Sequence, residues 1–220
     1  MRIGALTIGH SPRQDLLRLI QVCQPDAEIV DIGALDLIHD YDVPAGMTDP
    51  TDVLTTYLRD GSTASLDRSF LTPLMQKAIY TLENANTDVI ISLSSGDFPS
   101  LRSTIPLIKP FTTTCAQLRA MQARRIAVAV PVPEQEDTSR LKWAAHGFDA
   151  TVWVMPEGLP TAQVGGWLHE LTYATTPFDA VIIDDVRYTL ADHGVPADTR
   201  NILNVGEIGM ALMGQMLAPA

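Results

Sequence analysis

Three short polar segments, each following an apolar run, carry residue types suited to acid–base chemistry and anion binding. The first is Thr7-Ile8-Gly9-His10-Ser11-Pro12-Arg13. Gly9 permits a tight turn, and Ser11 with Pro12 suits a helix start. A helix N-terminus beside Arg13 would bind a carboxylate or a phosphate. The alternative is an ordinary strand-to-helix turn with Arg13 paired to Asp15 or Asp36. His10 is a candidate acid or base, because an imidazole can move protons at neutral pH. The second segment is Leu93-Ser94-Ser95-Gly96-Asp97. Two hydroxyls followed by a glycine can hold a carboxylate through O–H and N–H donors, or a serine can cap the next helix. The Gly-x-Ser-x-Gly spacing of a nucleophile elbow is missing. The third segment is Asp184-Asp185-Val186-Arg187-Tyr188. Adjacent carboxylates at the end of an apolar strand must be partnered or must titrate abnormally. Asp185 is thus a candidate base, with a cation (Arg187) and a phenol (Tyr188) beside it. A plain Asp185–Arg187 salt bridge, with Asp184 capping a helix, is the alternative.

The elements that position these segments alternate. Apolar runs at 2–8, 27–33, 88–93, 125–131, 150–155, 179–184 and 200–204 read as strands. Pro106–Ile108 reads as a further short strand. Helical spacing marks a segment starting at Ser11-Pro12, then Phe70–Asn84, Thr112–Arg124, Glu134–Gly147, Gln163–Ala174 and Gly206–Leu217. Leu35 to Arg68 is rich in Asp, Pro, Gly and Thr, with a strand at Thr55–Leu58 and a turn at Asp60-Gly61; long polar excursions of this kind often close over sites. Alternation with apolar strands implies parallel sheets flanked by helices, an α/β fold. Ligands in such folds bind beyond the carboxyl ends of strands, which selects the three segments above and, more weakly, Pro131–Gln135. DVIISLSSG and DAVIIDDVR share one form about half a chain apart and imply two similar lobes. The expected division is 1–108 plus 205–220 for the first lobe and 109–204 for the second.

Composition narrows the partners. The 220 residues carry 15 Lys plus Arg against 26 Asp plus Glu, a net charge of −11. That field repels a phosphate backbone and an anionic bilayer, so neither nucleic acid nor a membrane is an expected partner. Cys23 and Cys115 form no zinc-ligand or Cys-x-x-Cys pattern. Cys115 reads as a structural thiol near a helix start, and Trp143, Trp153 and Trp167 read as core. Asp40, Asp42 and Asp49 match no cation loop, so no metal is expected. No nucleotide-binding glycine motif is present, so no cofactor is expected. No apolar run reaches membrane length and none near residue 1 suits a signal core; the expected location is the cytoplasm. A homodimer is compatible with the fold class.

Leu6-Thr7-Ile8-Gly9-x-x-Pro12-Arg13-x-Asp15, Leu58-Arg59-Asp60-Gly61, Gly96-Asp97-Phe98-Pro99, Val130-Pro131 with Glu134-Gln135, Lys142-Trp143, and Asp184 with Tyr188-Thr189 resemble, in order and over most of the chain, the AroM family. That family looks like a branch of the aspartate/glutamate racemase superfamily. The resemblance implies two pseudosymmetric lobes, each a mostly parallel sheet flanked by helices, with a cofactor-independent active site in the inter-lobe cleft. Superfamily members include amino-acid and hydantoin racemases, maleate isomerase and arylmalonate decarboxylase. They typically place one cysteine at a strand end of each lobe. Here the matching positions hold Ser94 and Asp185.

The expected function is therefore proton transfer of isomerase, racemase or lyase kind on a small carboxylate, without the cysteine pair. Asp185 and Ser94 are the catalytic candidates. Thr7, Gly9, Ser11, Arg13, Ser95, Gly96, Arg187 and Tyr188 are substrate-binding candidates, and His10 a further acid or base. The alternatives are a catalytically silent carboxylate-binding or regulatory protein, and a hydrolase using Ser94 with His10 or an Asp-activated water.

Overall fold

A computed structural model describes residues 1–44, 46, 49, 51–174, 178–196, 199 and 201–218. The chain divides into two compact units, Met1–Pro110 with Gly209–Ala220, and Phe111–Ile208.

Unit 1 is built on β1 (Arg2–Thr7), α1 (Gln14–Cys23), β2 (Glu28–Gly33), the hairpin β3 (Val53–Tyr57) and β4 (Thr63–Asp67), α2 (Arg68–Asn84), β5 (Val89–Ser92) and β6 (Leu107–Ile108). Its sheet runs β2-β1-β5-β6, and every pairing is parallel. Ile3, Ala5 and Leu6 of β1 and Ile90 and Ile91 of β5 are fully buried, as expected of central strands covered on both faces. Helix α2 buries Leu71, Met75, Ala78, Ile79 and Leu82, one apolar stripe at helical spacing, against Leu6, Leu35, Leu66 and Ile90.

Unit 2 contains α3 (Pro110–Ala120, from Phe111 onward), β7 (Arg125–Val130), α4 (Glu136–Ala145), β8 (Asp149–Val154), α5 (Val164–Ala174), β9 (Ala180–Ile183) and β10 (Ile202–Asn204); α6 (Val205–Leu217) begins in it and ends in unit 1. Its sheet runs β10-β9-β7-β8, again all parallel. Numbered within each unit, both sheets have the order second–first–third–fourth. The two lobes thus share one topology, and the α/β class expected from the sequence is the fold observed. Trp143 is fully buried and meets the rings of Phe111 and Phe148 edge-on at 4.8 and 5.8 Å. Trp153 and Trp167 are only half-buried, at the border of the cluster around Leu168 and Ile183.

Several boundaries differ from the sequence reading. Helix α1 starts at Gln14 with Arg13 as its cap, not at Ser11-Pro12; the Ser11 N–H and hydroxyl are turned to the Asp36 carboxylate instead. Helix α3 starts at Pro110, so Thr112–Thr114 lie inside it and Cys115 is a buried mid-helix residue. Proline suits a first helical position because its missing N–H would have no partner there. The strand read at Thr55–Leu58 is β3, one arm of an antiparallel hairpin whose second arm, β4, was not anticipated. Residue 200, the first of the strand read at 200–204, lies outside the described residues, and β10 begins at Ile202.

The hairpin packs onto the polar loop after β1. A Cβ on Gly9 would collide with Thr56 Oγ1 and the Tyr57 carbonyl, and one on Gly33 with the Gly9 carbonyl and, at 2.8 Å, His10 Cα. Strand β2, the β1–α1 loop and β3 are therefore in backbone contact, and only glycine fits between them. Gly33→Ala is expected to lower unit 1 stability by about 2 kcal/mol through overpacking, read as a lower denaturant midpoint. An unchanged midpoint would show that this contact is not tight.

Candidate functional site

Each unit presents a polar loop where its central strands end. In unit 1, Thr7 closes β1, is 2% exposed, and its hydroxyl has no hydrogen-bond partner among the described residues. Past β5, Leu93 N–H still donates to the Leu6 carbonyl at 2.7 Å. Ser94 follows, buried, its Oγ accepting the Gly96 N–H at 3.0 Å. This bond closes a tight turn at the strand end around the serine oxygen. Ser95 is half-buried, and Gly96 is buried with Leu54 of the hairpin against it.

The β1–α1 loop is organised by Asp36, which the sequence reading named only as a possible partner of Arg13. Its carboxylate accepts from Ser11 Oγ at 2.7 Å, Ser11 N–H at 3.2 Å and Gly33 N–H at 2.7 Å, and lies 3.3 Å from Arg59. Arg13 pairs with Asp15, at 2.5 Å from Nη2 to Oδ2, and its guanidinium lies 4.8 Å over the Tyr57 ring. His10 is 4% exposed. Its Nε2 stands 3.3 Å from Asp40 Oδ1, but neither ring nitrogen makes a hydrogen bond. A link from His10 to Ser94, which a Ser–His hydrolase needs, does not form.

In unit 2 the same geometry recurs past β9. Asp184 N–H donates to the Ala129 carbonyl at 2.9 Å, the counterpart of the Leu93–Leu6 bond. Asp185 then stands where Ser94 stands in unit 1, two residues beyond the strand and equally buried at 6% exposure. Asp184 does not cap a helix. Its Oδ2 accepts from Lys142 Nζ at 2.7 Å, Ser139 Oγ at 3.0 Å and Trp143 Nε1 at 3.2 Å, all from α4. Asp185 accepts the Arg187 N–H and Nε on Oδ1, at 2.8 and 3.1 Å, and Arg187 Nη2 on Oδ2 at 2.8 Å. Arg187 lies 5.4 Å over the Tyr188 ring.

Sequence reasoning missed three groups here. Asn204 is buried and caps α6 by accepting the Glu207 N–H at 3.0 Å, while its amide donates to the Asp185 carbonyl at 2.9 Å. His193 is 2% exposed and stacks edge-on to Tyr188, with centroids 5.6 Å apart. Burial holds its pKa below 6.5, against Asp185, the Thr161 backbone and Asp192, which favour the charged form. Glu207 is pushed upward, first by burial and then by Asp192. A cap residue before a closing helix was readable at Asn204. Nothing in the sequence linked His193 to Asp185. Among the described residues, no group of three or more His, Cys, Asp or Glu side chains is placed to hold a metal ion, and no helix is long and apolar enough to cross a membrane.

The two-lobe parallel α/β fold with polar loops at its strand ends is shared with several solved structures. Allantoin racemase from Klebsiella pneumoniae matches with a TM-score of 0.64 and 14% identity, covering 99% of this chain and 87% of that one. Arylmalonate decarboxylase matches with a TM-score of 0.58 and 13% identity, covering 100% and 93%. The maleate isomerase Iso from Pseudomonas putida S16 matches with a TM-score of 0.57 and 16% identity, covering 99% and 92%. At such identities the likeness establishes the fold, which is that of the racemase-like proteins. The family model described as AroM protein matches residues 3–192, and the chain belongs to that family. Among curated proteins none is significantly similar in sequence.

Two measurements follow from the unit 2 geometry. Lys142→Met leaves Asp184 buried beside only neutral donors and is expected to cost about 3 kcal/mol. Adding Asp184→Asn should recover much of that loss, whereas simple additivity of the two effects in denaturant titrations would refute a coupled buried pair. His193 is kept neutral in the folded protein at pH values where the unfolded chain takes up a proton. Its contribution to stability is therefore present above pH 6.5 and lost as the pH falls towards its lowered folded value. Between about pH 7 and pH 5.5, wild type should lose more unfolding free energy than His193→Gln; parallel losses would show that His193 is not held neutral.

Proposed function

We propose that this protein is a cofactor-independent enzyme that moves a proton on a small carboxylate, as an isomerase, racemase or lyase. The observation that carries this reading is the equivalence of Ser94 and Asp185. Each is buried and stands two residues past the third strand of its sheet. The solved structures that share the fold, a racemase, an isomerase and a decarboxylase, support the same class of chemistry.

In this reading the substrate carboxylate is held by the Ser94–Ser95–Gly96 turn and Thr7, whose free hydroxyl is a ready donor. Gly9, Ser11 and Arg13 shape the neighbouring loop and do not contact the reacting carbon. Asp185 takes or returns the proton. A serine hydroxyl is too weak an acid to replace a thiol without an adjacent base, so Ser94 binds and Asp185 does the proton work. Arg187 is the cation paired with that carboxylate and lies over the Tyr188 ring. Arg187 occupies both oxygens of Asp185, and a substrate carboxylate competing for the guanidinium would leave an Asp185 oxygen available to accept a proton. Binding and base activation would then be one event.

The bidentate Arg187–Asp185 pair also favours a second reading, a catalytically silent carboxylate-binding protein. Proton NMR of the protein in D₂O with amino acids, hydantoins, 2-hydroxy acids and unsaturated dicarboxylates separates the two. The enzyme reading expects loss of a carbon-bound proton signal or a new product. Asp185→Asn should slow that turnover by about a hundredfold or more with the fold intact. Turnover undiminished in Asp185→Asn would remove Asp185 from the chemistry. Line broadening of one compound without exchange would establish the binding protein.

A further inference from the structure

The β2 side of unit 1 carries a feature that the strand-end chemistry does not use. A cavity of about 430 Å³ is lined by His10, Asp40, Val43, Leu58, Arg59 and Asp60, within the range of small-molecule sites. In the sheet order β2-β1-β5, its wall comes from the loop after β1, the segment after β2 and the hairpin tip. Ser94 lies past β5, on the other side of β1. Ser94, Ser95 and Gly96 are not among the residues that line the cavity.

Its wall is unevenly charged. Arg59 already faces Asp36 at 3.3 Å, so the cation at the rim is matched by a carboxylate outside the cavity. Among the described residues, neither Asp40 nor Asp60 lies in a salt bridge with a lysine or arginine. Asp40 is 70% exposed, and its nearest basic neighbour is the His10 ring at 3.3 Å. Asp60 accepts the Ser62 N–H and hydroxyl at 2.9 and 2.6 Å. These two bonds hold its carboxyl below the usual carboxylate range, with a smaller contribution from nearby His10. Asp40 thus stands beside the imidazole, and Asp60 adds a second carboxylate to the wall of the same cavity. That imidazole is 4% exposed and neither of its nitrogens is hydrogen-bonded by the protein. Buried polar groups left in this state cost about 1–3 kcal/mol each and call for an explanation. Val43 and Leu58 supply an apolar surface between the polar ends.

We propose that this cavity binds a small molecule carrying a primary ammonium group. The ammonium N–H groups donate to the carboxylates of Asp40 and Asp60. The His10 ring closes the site behind them and takes up its missing hydrogen bond as the carboxylates settle on the ligand. The carbon chain lies against Val43 and Leu58. Two sources of that ammonium are possible in chemistry, a simple amine and an amino acid; in the second case the ligand carboxylate meets Arg59 at the rim.

The test uses the full chain and four probes of similar size: n-butylammonium chloride, L-norvaline, butyrate and butanol. Binding is followed through amide shifts of His10, Val43, Leu58, Arg59 and Asp60 in ¹H–¹⁵N spectra. Saturable shifts with n-butylammonium, and none with butyrate or butanol, are expected. Asp40→Asn and Asp60→Asn should each weaken binding about tenfold or more, whereas Ser94→Ala leaves it unchanged because that residue belongs to the other site. If L-norvaline binds about tenfold tighter than n-butylammonium, and Arg59→Gln removes that advantage alone, the ligand is an amino acid. Equal affinities identify a simple amine. Butyrate shifting the same amides as strongly, no saturable shift with n-butylammonium up to its solubility limit, or full affinity in both Asp variants would each overturn the proposal.

Discussion

Much of unit 2 depends on one buried carboxylate. Asp184 sits at the end of a strand whose four residues are fully buried and apolar, and an ion taken out of water there costs several kcal/mol unless it is paired. Its donors come from Ser139, Lys142 and Trp143, three and four residues apart, which places them on one face of α4. The ion therefore fixes which face of α4 meets the sheet. Trp143 couples this to packing, since the same indole that donates to Asp184 sits against Phe111 and Phe148. Lys142 is held as well, with its ammonium 4.7 Å over the Phe111 ring. With Asp184 fixed on one side, the next residue is directed to the other, because successive side chains of an extended chain alternate. Asp185 is thus placed by its neighbour, and Asn204 secures its carbonyl from the start of α6.

What the sequence made legible follows from distance along the chain. Runs such as RIGALTI and RIAVAV encode buried parallel strands locally, and the strand-end rule then marks the loops. The repeated form of DVIISLSSG and DAVIIDDVR encodes the common topology. Errors arose where a remote partner decides. The start of α1 is set by Asp36, more than twenty residues on. Strand β4 (TASLD) has weak alternation and gains its identity from pairing with β3. The pairings Arg13–Asp15 and Asp185–Arg187 were readable because both partners lie two residues apart. The contacts of Asp184 with α4 span more than forty residues, and no local pattern announces them.

The two units, alike in topology, differ in charge at the place where their strands end. Unit 1 has Leu93 and Ser94 where unit 2 has Asp184 and Asp185. Leu93 needs no partner, and nothing like the α4 anchor is required beside it; the turn is held instead by the Gly96 N–H donating to Ser94 Oγ and by the packing of Leu54 and Phe98 against Gly96. One strand end therefore offers neutral donors on a rigid backbone, and the other an anion balanced by a guanidinium. Of the two residues that stand two positions past the third strand of their sheets, only Asp185 is a carboxylate that can accept a proton; Ser94 offers a neutral hydroxyl.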